Sequence, residues 1–135
     1  MVKRPLIGVA VIVIKEGRVL LGKRKNAHGS GTWAFPGGHL EFNESIKACA
    51  RREVFEETGL QIKNLRYGPF TNDVFADEEK HYVTLFVISD YDSGSPVAKE
   101  PHKCDKWAWI PWPPDVQPCF LPITNLLKLD FKLPC

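Results

Sequence analysis

The sequence predicts an α/β domain whose sheet is covered on both faces, and three stretches carry that prediction. Residues 6–14, LIGVAVIVI, are apolar at odd and even positions alike, the pattern of a strand buried on both sides. Residues 44–58 carry apolar side chains at helical spacing, with Ile46, Cys49 and Ala50 on one face. From Gln61 onward, strand-like runs are followed by a short helical segment at the end of the chain. With 135 residues, 44% of them hydrophobic, there is material for one sizeable core, and residues 1–135 are expected to form a single domain.

Composition narrows the classes of function. Eighteen Lys and Arg stand against 16 Asp and Glu, a net charge of +2, which supplies no electrostatic footprint for a nucleic acid polymer or an anionic membrane. Lys3-Arg4 before an apolar run has the look of a signal peptide, but no small-residue cleavage site follows and the run is too short to span a bilayer. Cys49, Cys104, Cys119 and Cys135 form neither a CxxC pair nor a zinc spacing, so a reduced, cytoplasmic setting is expected. Cys49 falls on the inner helix face as a small hydrophobe.

Taken in order, the apolar strand turns at Glu16-Gly17 into a hairpin partner over Arg18–Gly22. Lys23, Arg24 and Lys25 arrive where that partner ends. Three cations there make either a solvated edge that discourages strand pairing or a grip on phosphate, for which the arginine fork of Arg24 is best suited. A Gly, Ser and Asn loop over Asn26–Gly31 leads to Trp33-Ala34-Phe35 and then to Pro36-Gly37-Gly38, a glycine turn that lets backbone approach a ligand closely. Beyond the helix, Gln61–Phe75 and His81–Asp90 read as strands joined by a charged loop at Asp77–Lys80. Lys106–Ile110 places Trp107 and Trp109 on one strand face, the prolines from Pro111 to Pro122 form a rigid loop, and Leu121–Leu129 is a short helix.

The chemistry concentrates in the central helix, GHLEFNESIKACARREVFEETGL over Gly38–Leu60. Asn43 is a good N-cap, Glu44 suits the first turn, and Gly59 supplies a left-handed stop, predicting a helix over Glu44–Thr58. Along it Glu53, Glu56 and Glu57 follow Cys49 and Ala50 on the same face, so the core-facing stripe turns acidic halfway. These carboxylates repel one another and lie toward the helix C-terminus, where the macrodipole disfavours anions. Lys47 and Arg51 project to the opposite side, and only Arg52 flanks the acidic face. Positive charge must come from outside, and oxygen ligands on one helix face, too few to enclose an ion, suit Mg²⁺ or Mn²⁺ that keeps waters and shares substrate phosphates.

The spacing of that stretch is specific: Gly38, five residues, Glu44, seven residues, Arg52-Glu53-Val54, one residue, Glu56-Glu57, one residue, Gly59-Leu60. It resembles the Nudix box without a departure. The resemblance implies the Nudix fold, an α/β/α sandwich with a mixed β-sheet, and a diphosphate-cleaving enzyme. It also implies a metal held by Glu53, Glu56, Glu57 and the carbonyl of Gly37, with Glu53 as general base oriented by Arg52. Arg24 stands where the family places a phosphate-contacting arginine, and Gly38-His39 in GGHLEF adds a candidate phosphate contact. The run from Leu21 to Trp112, with FTNDVF, HYVTLF and EPHKCDKWAW, resembles the branch of nucleoside triphosphate diphosphatases acting on oxidised purine nucleotides. That branch carries EPEK where this chain has Glu100-Pro101-His102-Lys103, which leaves Glu100 as the remaining candidate for a fourth carboxylate ligand.

The expected reaction converts a nucleoside triphosphate to its monophosphate and pyrophosphate, on a protein that is a monomer or a homodimer and binds a small nucleoside diphosphate derivative. Phe35 and Trp107 are candidates to hold a flat base between them, and Asn72 to read the base edge; core packing for the aromatics and a local backbone hydrogen bond for Asn72 are the alternatives. The same chemistry on dCTP or CTP, ADP-ribose or an isoprenyl diphosphate is a competing expectation, as is a binding module without turnover, against which the intact glutamates argue.

Overall fold

The computed structural model describes residues 2–25 and 28–134, so the first two residues of the loop expected at Asn26–Gly31, and Cys135, lie outside the described residues. The elements run β1 (Leu6–Lys15), β2 (Arg18–Arg24), β3 (Trp33–Ala34), β4 (Gly37–His39), α1 (Ile46–Thr58), β5 (Gln61–Phe75), a 3-10 turn (Ala76–Glu78), β6 (Lys80–Ser93), β7 (Cys104–Pro111) and α2 (Leu121–Lys128). The strands form one seven-stranded sheet in which β1 runs parallel to β6 and antiparallel to β2 and β4. This is the mixed sheet expected. Among the described residues no helix is long and apolar enough to cross a membrane.

The double-sided pattern of β1 has the meaning anticipated for it. Val9, Val11 and Val13 join Cys49, Ala50 and Val54 of α1 in one core layer, while Ile12 joins Ile123 and Leu126 of α2 in the other. Each face of the sheet is therefore covered by one helix, and successive residues of β6 divide in the same way, Val87 toward α1 and Phe86 with Ile88 toward α2. Trp107 and Trp109 both pack on the α1 layer, as their spacing required.

α1 begins two residues later than expected. Ser45 is its N-cap, with Oγ accepting from the Ala48 N–H at 3.1 Å, whereas Asn43 adopts a left-handed φ of 65° within a turn closed by the Glu44 N–H donating to the Glu41 carbonyl. Both residues are good caps; the turn uses Asn43 because Asn tolerates that backbone region. Gly59 ends the helix in the left-handed conformation, φ 79°, and its N–H caps the Phe55 carbonyl.

α2 is tied to the sheet by a buried carboxylate. Asp73 of β5 has no exposed surface; it accepts from Thr71 Oγ1 at 2.9 Å, from Thr84 Oγ1 at 2.5 Å and from Asn125 Nδ2 at 2.8 Å. Asp73→Ala leaves three donors unmet and is expected to cost about 3–5 kcal/mol, read as a fall in Tm of roughly 10 °C or more. A fall under about 3 °C in a thermal melt would remove this tie from the account of the fold.

Candidate active site

A cleft opens where the sheet forks. β1 and β2 pair only at Ile14–Val19 and Lys15–Arg18; past that point β4 takes the edge of β1 at Gly8–Ala10, and β3 takes the edge of β2 at Gly22 and Lys23. The opening has a volume of about 570 Å³. Its walls come from both sides of the sheet: Glu53 and Glu57 of α1 on one side, Ile123 of α2 and its N-cap Phe120 on the other.

Gly37 and Gly38 make the fork possible, although not as the turn expected. They are strand residues of β4, paired with Ala10 and Val9. A side chain at Gly37 would run into the Val9 carbonyl, which is backbone, so only glycine lets β4 lie against β1 there; one at Gly38 would meet the Glu53 carboxylate and displace it. The Gly37 N–H donates to the Glu57 carboxylate at 3.2 Å. The close backbone approach is made to β1 and the glutamates, and a strand takes the place of the expected turn.

The acidic helix also differs in detail. The core stripe does not turn acidic: it continues through Val54 and Thr58, with Glu53 and Glu57 half-buried alongside it and Glu56 exposed at the rim. At about 100° per residue Glu56 lies on the margin of the stripe. Arg52 gathers the surrounding charge. Its Nε and Nη2 donate to Glu44 at 2.7 and 2.9 Å, and its Nη1 to Glu53 at 2.5 Å and to Glu56 at 3.5 Å. Lys47 and Arg51 do project elsewhere, Lys47 over the Tyr67 ring and Arg51 to the Ile62 carbonyl.

Hydrogen bonding to Arg52 holds the Glu44 carboxyl down to about 2. Burial outweighs the same arginine at Glu53 and raises its pKa. Glu57 is pushed up to about 8, first by burial, then by the charge of Glu53, with Glu100 adding to it. Glu100 lines the cleft and ion-pairs with Lys103 at 3.8 Å. Burial also pushes the Cys49 thiol up to about 12, in keeping with a small hydrophobe.

Of the expected substrate contacts, Arg24, Phe35, Gly38, His39 and Trp107 line the cleft. Arg24 is not on a solvated edge: its guanidinium lies over the Phe120 ring at 4.3 Å, its Nε donates to the His28 carbonyl at 2.6 Å, and burial lowers its pKa. His39 is exposed, stacked on Tyr82, with Nε2 3.2 Å from the Tyr82 hydroxyl. Phe35 and Trp107 do not face each other as a sandwich. Phe35 is buried in the α2 layer, stacked on Trp112, while Trp107 packs on the α1 layer with its Nε1 buried and lacking a hydrogen-bond partner among the described residues. Asn72 lies outside the cleft, in an exposed hollow with Phe70 and Leu129, where its Oδ1 meets His81 Nε2 at 2.5 Å. The parity of β5 turns Asp73 inward and Asn72 outward. Sequence reasoning missed His28, Phe75, Tyr82 and Phe120, which line the end of the cleft beside Arg24. A histidine in a Gly and Ser loop next to that arginine was the available signal.

The carboxylates fit a hard divalent cation by donor chemistry: oxygen ligands, partly buried, mutually repelling and without a neutralising side chain of their own at Glu57. Among the described residues no three of them already converge as a ready-made ligand set, so water and substrate oxygens would complete the shell.

The sign of the pH dependence follows for metal-free protein. Glu57 holds its proton more tightly folded than unfolded, so its contribution favours the fold at pH below 4.5 and is lost as pH rises to about 8. In EDTA, Glu57→Gln is expected to melt several degrees above the wild type at pH 8.5, with the gap closing near pH 5. Calorimetry across that range checks it; a gap that does not change with pH contradicts the burial of this carboxyl.

The chain matches the NUDIX domain family over residues 4–113. Over 91 residues it is 35% identical to the oxidized purine nucleoside triphosphate hydrolase of Danio rerio, an alignment covering 67% of this chain and 58% of that protein. Over 86 residues it is 35% identical to the NAD-capped RNA hydrolase NudC of Photobacterium profundum, covering 64% of this chain and 30% of that one. The chain thus spans less than two thirds of the length of these curated relatives. The crystal structure of a MutT NUDIX hydrolase from Burkholderia pseudomallei superposes with a TM-score of 0.85 at 26% identity, covering 95% of this chain and 98% of that one. A family match over most of the sequence, and a fold shared along nearly all of it, make the chain a member of the Nudix hydrolase family.

Proposed function

We propose that this chain is a single-domain, Mg²⁺-dependent pyrophosphohydrolase, Mn²⁺ being the alternative ion, that cleaves a nucleoside triphosphate, oxidised or ordinary purine preferred, to the monophosphate and pyrophosphate. The observation that carries the reading is one cleft holding two kinds of charge: the half-buried acids Glu53, Glu57 and Glu100, and an arginine whose own carboxylate partners are lacking among the described residues. A diphosphate ester needs both, a cation-binding acidic wall for its charge and a fork for its terminal oxygens.

A divalent ion held by Glu53, Glu56, Glu57 and the Gly37 carbonyl would supply charge neutralisation and a more acidic water. Glu53 is the general base. Arg52 fixes its carboxylate at 2.5 Å, and partial burial raises its affinity for the proton it must take. Water provides the new P–O bond, the bridging bond between two phosphates breaks with its electron pair leaving on pyrophosphate or monophosphate, and the water proton passes to Glu53. Arg24 binds phosphate oxygens, and His39, which lines the same cleft, offers a second contact. The relatives named for oxidised purine triphosphates support a nucleotide as substrate, and an aromatic-lined cleft suits a planar base better than a flexible lipid tail.

Arg24→Ala is expected to lower kcat/KM for triphosphates about ten-fold or more, mainly through KM, and Arg24→Lys to recover only part, because an ammonium cannot replace a bidentate fork. Unchanged constants in both variants return Arg24 to a structural role. Phosphate release with Mg²⁺ should be compared for 8-oxo-dGTP, dGTP, dCTP, ADP-ribose, NAD and geranyl diphosphate. Faster turnover of any non-triphosphate than of every triphosphate overturns the assignment, and no turnover of any, with Glu57→Gln equal to the wild type, favours a binding module.

A further inference from the structure

We infer that His28, held by Glu78, is a positioning residue that sets the phosphate grip of Arg24; the inference rests on the phosphate-binding role proposed for that arginine. Arg24 stands at the end of β2, half-buried, and two neutral groups orient it: the His28 carbonyl, which accepts from Nε at 2.6 Å, and the face of Phe120 at 4.3 Å. Neither neutralises it. A guanidinium fixed by a carbonyl and a ring keeps its full charge and its remaining N–H groups for an anion, which a carboxylate partner would have consumed.

What fixes that carbonyl is the ring of the same residue. The His28 side chain is only 10% exposed and sits in a box of aromatic rings, with Phe75, Phe120 and Tyr82 at centroid distances of 4.1, 5.3 and 6.1 Å. Its Nδ1 is hydrogen-bonded to the Glu78 carboxylate, on the 3-10 turn between β5 and β6, 50 residues away in sequence. The link from Glu78 through His28 to Arg24 therefore ties the far sheet edge to the residue proposed to hold phosphate. Phe120 belongs to both halves, touching the His28 ring and the Arg24 cation, so a displaced imidazole disturbs the two supports of Arg24 together. A phenyl ring in place of the imidazole would fill the box and lose the Glu78 bond, which separates packing from positioning.

The test is a double-mutant cycle on binding and turnover. Affinity for a methylene-bridged, non-hydrolysable nucleoside triphosphate is measured by calorimetry, alongside kcat and KM for the best triphosphate. His28→Ala and His28→Phe are each expected to weaken affinity about three- to ten-fold with kcat changed less than KM, Glu78→Ala to do the same, and Glu78→Gln, which retains an acceptor for Nδ1–H, to recover most of the loss. In an Arg24→Ala background, His28→Phe should cost less than about two-fold, since there is no longer a guanidinium to orient. Equal losses in both backgrounds, or no loss from His28→Phe in the wild type while its melt is native-like, overturn the inference. Arg24→Ala alone tests the underlying phosphate reading, so the two failures are told apart.

Discussion

A β-hairpin that separates after two residue pairs leaves backbone edges that must be satisfied, and the way this chain satisfies them creates its cleft. β4 bonds to the edge of β1 and β3 to the edge of β2, each for two or three residues. β4 fits against β1 because residue 37 lacks a side chain that would strike the Val9 carbonyl, and the bare Gly38 leaves the Glu53 carboxylate in its place. The same contact that closes the sheet therefore brings a backbone N–H to Glu57 and seats Glu53 at the cleft wall. Sheet closure and the placement of the acids are one event.

The electrostatics then divide between what is already balanced and what is left open. Glu44 is settled by Arg52, which also reaches Glu53 and Glu56, so the outer part of the acidic helix is a closed network. Glu57 is not settled in this way; a single backbone N–H and a distant arginine face a carboxyl that burial works against. Groups left in such a state are typical of sites whose charge is completed by a ligand. In the same cleft Arg24 shows the complementary condition, a half-buried cation supported by a carbonyl and a ring.

Much of this was legible. β1 and β5 announce themselves through their apolar patterns, β5 with the bounds Gln61–Phe75, and the glutamate spacing identifies the family before any coordinate is consulted. What was not legible depends on parity and register. Asn72 and Asp73 are adjacent, and a strand sends one out and the other in; β5 carries three register shifts against β6, so counting by twos along it does not settle which. Phe35 and Trp107 are both aromatic and both near the glycines, but they join opposite layers of the core. Asn43 and Ser45 are equivalent as caps until the turn at Glu41–Glu44 assigns one of them. His28 gave only a local signal, its place in a Gly and Ser loop near Arg24, because its other neighbours come from β5, the 3-10 turn, β6 and the segment before α2, none of which is local in sequence.

The sheet also acts as a partition. The acids proposed for chemistry stand on the helix of one core layer, while Phe120, Pro122 and Ile123, which shape the other end of the cleft, belong to the helix of the second layer or its approach. The two layers share the strands between them, and α2 is moored to the sheet through Asp73 of β5. Substitutions on α2 are accordingly placed to reshape the end proposed for recognition without touching the helix that carries the acids.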